Sequence, residues 1–129
     1  MSHYPDLSNQ VVLVTGAGSG IGQALANRFA DQGARVAVND VDIEAAARTC
    51  AQIADVGGLA IAVPCDVASS EQVGAMFDQV ESQWGHVQVL VNNAGLVGPM
   101  LHFFEATEEW WRRIIDVNLT GHFLCAHRA

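Results

Sequence analysis

Val11-Val12-Leu13-Val14-Thr15-Gly16-Ala17-Gly18-Ser19-Gly20-Ile21-Gly22 is the stretch that decides how this chain folds. Val11 to Val14 is a continuous apolar run, the pattern of a strand buried on both faces of a parallel sheet. The glycine-rich stretch from Gly16 to Gly22 closes that strand. Ile21, Leu25 and Phe29 then recur at i, i+4 and i+8, which predicts an amphipathic helix over Ile21 to Asp31. Gly33 follows its last turn, where a left-handed residue commonly ends a helix.

Outward from this unit the same rhythm repeats. Arg35 to Val38 reads as a second strand, with Asn39-Asp40 at its carboxyl end. Asp42 can cap an alanine-rich helix that stops at Gly57-Gly58. Leu59 to Val63 is a third strand, and Ser69 or Ser70 opens a helix carrying Val73, Met76, Phe77 and Val80. Val87 to Val91 is a fourth strand. After a loop with Gly95, Gly98 and Pro99, Thr107 is the expected N-cap of a last helix running from Glu108 to near the end. Strands alternating with helices predict βαβ units, hence an α/β fold with a parallel sheet. No fifth strand follows, so strand four is expected at an edge of the sheet, with unpaired hydrogen-bonding groups.

Length and composition fit one domain. The chain has 129 residues, 50% of them hydrophobic and 16% charged, so it can bury a core. Fourteen acids against six bases, all arginine, give a formal charge of −8. Such a chain lacks the basic footprint of a nucleic-acid binder. Without lysine it holds neither a Walker-type phosphate loop nor a Schiff-base nucleophile. Its apolar runs are far shorter than the ~20 residues that cross a bilayer. Met1 to Gln10 has neither the basic nor the apolar region of a secretory signal. Cys50, Cys65 and Cys125 share no CxxC spacing, and His122 and His127 fall on different helix faces. The expectation is no metal site, free buried thiols and a cytoplasmic, reducing location.

The glycine stretch reads as G-x-x-x-G-x-G over Gly16, Gly20 and Gly22, with Ile21 where a third glycine of the G-x-G-x-x-G pattern would stand. Such a turn can cradle a pyrophosphate on the N–H groups of a helix start, or serve simply as a tight strand-to-helix turn. Asp40, twenty residues after Gly20 at the end of strand two, favours the first use. A carboxylate there can accept from ribose hydroxyls and would repel a 2′-phosphate, and neither Ser19 nor Val41 offers compensating positive charge.

Two further signatures join these: Asp66-Val67 after strand three, and Asn92-Asn93-Ala94-Gly95 after strand four. Together with Thr15-Gly16-x-x-x-Gly20-x-Gly22 and Asp116-Val117-Asn118-Leu119-Thr120-Gly121, they closely resemble the short-chain dehydrogenase/reductase family. The resemblance runs from about residue 8 to the end. It implies a Rossmann fold, with residues 1–129 as the N-terminal half of one dinucleotide-binding domain, truncated after strand four and its helix. It also implies site roles. Gly16, Ser19, Gly20, Ile21 and Gly22 would form the pyrophosphate turn. Asp40, beside Val41, would bind ribose and mark NAD as the cofactor. Asp66 and Val67 would flank the adenine ring, and Asn93, Ala94 and Gly95 would lie under the adenosine ribose. Asn118 matches the asparagine of the family's catalytic tetrad, which interrupts helix bonding and holds a water in a proton relay.

The family's serine and its Tyr-x-x-x-Lys pair are absent here, since Tyr4 is the single tyrosine and has no lysine four residues on. The expected activity is hydride transfer between NAD(H) and an alcohol or carbonyl substrate, with this 129-residue chain alone inactive. The alternative is a non-catalytic nucleotide-binding or interaction half-domain. A methyltransferase, which also uses a glycine loop and an acid after strand two, is disfavoured by Asn92 to Gly95. Leu96 to Phe104 would supply one apolar wall of a substrate pocket. On the last helix, Trp111, Ile115, Leu119, Phe123 and Ala126 form an apolar stripe, part of it expected against the chain's own sheet. Trp110, Ile114, Val117 and Leu124 widen it, and the resemblance implies that this helix pairs with its symmetry mate in a homo-oligomer.

Overall fold

The computed structural model describes residues 2–129. Four strands, β1 (Val11–Val14), β2 (Arg35–Asp40), β3 (Leu59–Pro64) and β4 (Val89–Val91), form one sheet in the order β3-β2-β1-β4. Every pairing is parallel. Each crossover carries a helix: α1 (Gly20–Asp31), α2 (Ile43–Asp55) and α3 (Ser70–Trp84), and α4 (Glu108–Ile115) follows β4. A π turn over Asp116–Thr120 joins α4 to α5 (Gly121–Arg128). This is a Rossmann-like α/β fold.

Two cores explain why the strands read as unbroken apolar runs. Val12, Val14, Val36 and Val38 face α1 and α2, while Val11, Leu13, Ala37 and Val63 face α3, Val117 and Cys125. All four residues of β1 are buried, as its run requires. Asp42 Oδ1 accepts from the N–H groups of Glu44 and Ala45, Ser69 Oγ from Gln72 and Thr107 Oγ1 from Trp110, so each predicted cap is in use. Gly33 follows α1 with φ +85°, in the left-handed region.

Three expectations need correction. The fully buried residues of α1 are Gly22, Ala26 and Ala30, with Leu25 and Phe29 half-buried against the same core, while Ile21 is 74% exposed. Small side chains win the closest seam because they let the helix approach the strands closely. The fourth strand is shorter than Val87 to Val91, and just before it Gln88 meets Val11 twice, its backbone N–H donating to the Val11 carbonyl at 2.9 Å and its side-chain oxygen accepting the Val11 N–H at 2.8 Å. The last helix does not run unbroken, and it packs inward through Val117, Gly121 and Cys125. Trp111, Leu119 and Phe123 of the forecast stripe point outward, at 57%, 64% and 62% exposure.

Candidate functional site

In a 3-2-1-4 sheet the chain leaves β1 toward β2, and β4 joins on the other side. A crevice therefore opens beyond the carboxyl ends of β1 and β4, where open α/β sheets bind ligands. A cleft of about 530 Å³ lies there. Gly16, Ser19, Gly20, Ile21, Asp40, Val41, Asp66, Val67, Asn93, Ala94 and Gly95 all line it. Gly22 and Asn118 are not among its lining residues.

The glycine loop is tied down on both sides. Toward β4, Thr15 Oγ1 accepts from the N–H groups of Asn93 and Ala94 at 3.0 and 2.9 Å. The Asn93 amide donates to the carbonyls of Thr15 and Gly16 at 3.0 and 3.2 Å. Toward β2, Asn39 Oδ1 accepts from the Gly16 N–H at 3.3 Å, and its amide donates to Val63 and Cys65 at 3.0 and 3.2 Å. Asp40 Oδ2 accepts from the Gly18 N–H and Oδ1 from the Asp42 N–H, both at 3.0 Å. Gly16 adopts φ +62°. A Cβ on Gly22 would run into the Asn93 amide and the Gly16 carbonyl, so no larger residue fits under this turn.

The start of α1 differs from that of its neighbours. Asp42, Ser69 and Thr107 cap α2, α3 and α4, whereas Ser19 makes no side-chain cap on α1. The first-turn N–H groups of a helix have no intrahelical partner. Here they open beside cleft residues Ser19, Gly20 and Ile21 with the positive end of the helix dipole. Asp40 holds negative charge at the far side of the loop. The arrangement therefore offers N–H donors for an anion and a carboxylate for hydroxyls.

The remaining wall comes from β3, β4 and the last helix. Asp66 Oδ2 meets the Arg113 guanidinium at 3.1 Å. Asn118 spends both ends of its amide on Leu96: Oδ1 accepts from the backbone N–H at 2.6 Å and Nδ2 donates to the carbonyl at 2.9 Å. It sits within the π turn, where the Gly121 N–H reaches back to the Asp116 carbonyl. His122 Nε2 lies 2.9 Å from the Ala94 carbonyl. Cys65 also lines the cleft, but burial, with Cys125 and Asp66 adding, pushes its thiol up to about 12. Burial thus disfavours the thiolate, the form in which a cysteine acts as a nucleophile.

Sequence reasoning missed Asn39 and Arg113 as site residues. Asn39 carried a signal, a polar residue directly after the apolar run Val36-Ala37-Val38. Arg113 carried none, because its partner Asp66 is 47 residues away. Among the described residues no His/Cys/Asp/Glu cluster could hold a metal ion, and no helix is long and apolar enough to cross a membrane.

A family profile described as short chain dehydrogenase matches residues 10–129. The chain is 42% identical over 127 residues to 3beta-hydroxysteroid dehydrogenase 1 of Eggerthella lenta, covering 98% of this chain and 48% of that protein. It is 40% identical over 120 residues to cyclohexanol dehydrogenase of an Acinetobacter species, covering 93% and 48% respectively. A short-chain type dehydrogenase/reductase from Mycobacterium marinum superposes with a TM-score of 0.91 at 39% identity, covering 95% of this chain and 49% of that one. The chain thus spans about half the length of the relatives it matches.

Proposed function

The chain belongs to the short-chain dehydrogenase/reductase family, and from that premise we propose that it is the NAD-binding portion of an oxidoreductase acting on an alcohol or carbonyl substrate. In this reading residues 1–129 are the N-terminal half of one dinucleotide-binding domain. The observation that carries the reading is the uncapped start of α1, opening beside the cleft between a backbone-clamped glycine loop and Asp40. NAD, when bound, supplies the hydride chemistry. Ser19, Gly20 and Ile21 would take the pyrophosphate on the first turn of α1, with Gly16 and Gly22 shaping the turn beneath. Asp40, next to Val41, would hold the adenosine ribose, Asp66 and Val67 would flank the base, and Asn93, Ala94 and Gly95 would form the floor. Asn118 holds the Leu96 backbone and would serve the proton relay through the opened helix bonds of its π turn.

Because no lysine occurs in the chain and Tyr4 is not among the cleft residues, the proton-transfer pair is not supplied by these 129 residues. The chain alone is therefore expected to bind without turnover. The reducing cytoplasm is the location that suits its three free cysteines.

The test is a calorimetric titration with NAD and with NADP. Asp40 presents a carboxylate where a 2′-phosphate would lie, with no arginine at position 19 or 41, so NAD should bind the more tightly. Asp40→Ala should narrow the gap by on the order of 1–3 kcal/mol, the scale of one partly buried repulsion. It should also weaken NAD itself, since Gly18 loses its acceptor. Equal affinities of the unsubstituted chain for both cofactors would overturn the NAD assignment.

A further inference from the structure

We infer that Arg113 is a positioning residue for the adenine end of the cofactor: from α4 it fixes the Asp66 carboxylate in the orientation that receives the base's exocyclic amine. The inference rests on the dinucleotide reading of the cleft and goes one residue beyond it. Among the described residues Arg113 is the sole basic side chain lining the cleft. A dinucleotide carries two phosphates, so an arginine here has an evident competing use. The geometry commits it elsewhere, with Nη1 3.1 Å from Asp66 Oδ2.

Asp66 is held at three points. Its Oδ1 accepts from the Ala68 N–H at 3.0 Å, and its own N–H donates to Gln72 Oε1 at 2.8 Å. Two donors on different oxygens hold the carboxylate against rotation, yet each oxygen keeps acceptor capacity. The Ala68 and Gln72 contacts come from the six residues that follow Asp66, whereas Arg113 arrives from a helix distant in sequence. Val117, one turn beyond Arg113, is buried in the core cluster that also holds Val67. That packing sets the height of Arg113 over the Asp66-Val67 pair. The ion pair itself, 47% and 31% accessible, contributes little to stability. Its consequence is directional: an aimed carboxylate accepts from the amine of adenine and repels the carbonyl that hypoxanthine presents there.

The experiment titrates the full chain and its Arg113→Gln and Arg113→Lys variants with three probes. These are NAD, its analogue carrying hypoxanthine in place of adenine, and nicotinamide mononucleotide. The unsubstituted chain should prefer NAD over the hypoxanthine analogue. Arg113→Gln should lose about fivefold to tenfold on NAD, the range of a solvent-screened hydrogen bond to a charged group, and little on the analogue. Arg113→Lys should restore most of that ratio, and nicotinamide mononucleotide should bind all three proteins alike. Arg113→Met, which keeps the alkyl stem against the wall, gives the same comparison should the glutamine variant lose its fold. An unchanged NAD-to-analogue ratio would overturn the inference. So would an equal loss on all three probes, which would place Arg113 on a phosphate. Failure of the unsubstituted chain to bind NAD at all would instead overturn the reading of the cleft, and this inference with it.

Discussion

At the scale of single residues, the glycine loop is a set of close approaches rather than a flexible hinge. Gly22 is the tightest of them: its missing side chain is the space into which the Asn93 amide reaches to bind the Thr15 and Gly16 carbonyls. Gly22→Ala should therefore destabilise the fold by about 2 kcal/mol, the scale of overpacking a rigid site. Urea unfolding measures this directly, and a cost near zero would mean that the loop relaxes freely. Asp40 illustrates a second lesson at this scale. Its position twenty residues after Gly20 was legible, but not that it accepts the Gly18 N–H and so helps build the loop it sits beside. Asn39 was overlooked for a related reason: its partners lie on two distant segments, Gly16 after β1 and Val63 with Cys65 at the end of β3.

At the scale of elements, the helices were legible at their ends and less so on their faces. Caps are local chemistry, readable from a serine, threonine or aspartate beside its own turn. Faces depend on what the neighbour demands, and on α1 the closest seam goes to Gly22, Ala26 and Ala30, with Leu25 and Phe29 packed at its margin. Layer packing also sets the state of two thiols. Between the sheet and its covering helices, burial pushes Cys65 up to about 12 and Cys125 up to about 11, from an ordinary value of 9.0. The folded chain thus holds protons that the unfolded chain releases. That contribution to stability is complete below about pH 9 and is lost as pH rises toward the folded values. Burial raises the third thiol, Cys50, in the same direction, and the chain has no lysine. Thermal unfolding should show Tm falling steadily from about pH 9 to 11, with a shallower slope in Cys125→Ala. A flat profile over that range would contradict it.

At the scale of the whole molecule, two surfaces stand open. Among the described residues β4 pairs with β1 alone and its three residues are only partly buried, so this edge of the sheet presents unpaired backbone groups. On the last helix Trp111, Leu119 and Phe123 project away from the core. Large apolar side chains gathered on one exposed helical surface are a usual mark of association. The chain should therefore self-associate at micromolar concentration through α4 and α5. Leu119→Glu and Phe123→Glu should each lower the mass seen in light scattering while leaving the circular dichroism unchanged, because neither side chain belongs to the core. A monodisperse monomer in the unsubstituted chain would refute this.

The sequence by itself determined the strand–helix alternation, the parallel sheet, the capped helix starts and the glycine loop with its acid. All of these follow from periodicity, turn chemistry and short-range spacing. Only the tertiary structure decided which faces are buried, that α1 starts beside the cleft without a side-chain cap, and that Arg113 meets Asp66. It also decided that Asn118 closes on Leu96 and that the last helix turns its forecast stripe outward. Those outcomes depend on groups 22 to 47 residues apart being brought within hydrogen-bond reach. No local pattern encodes such meetings, because they are fixed by how the layers pack.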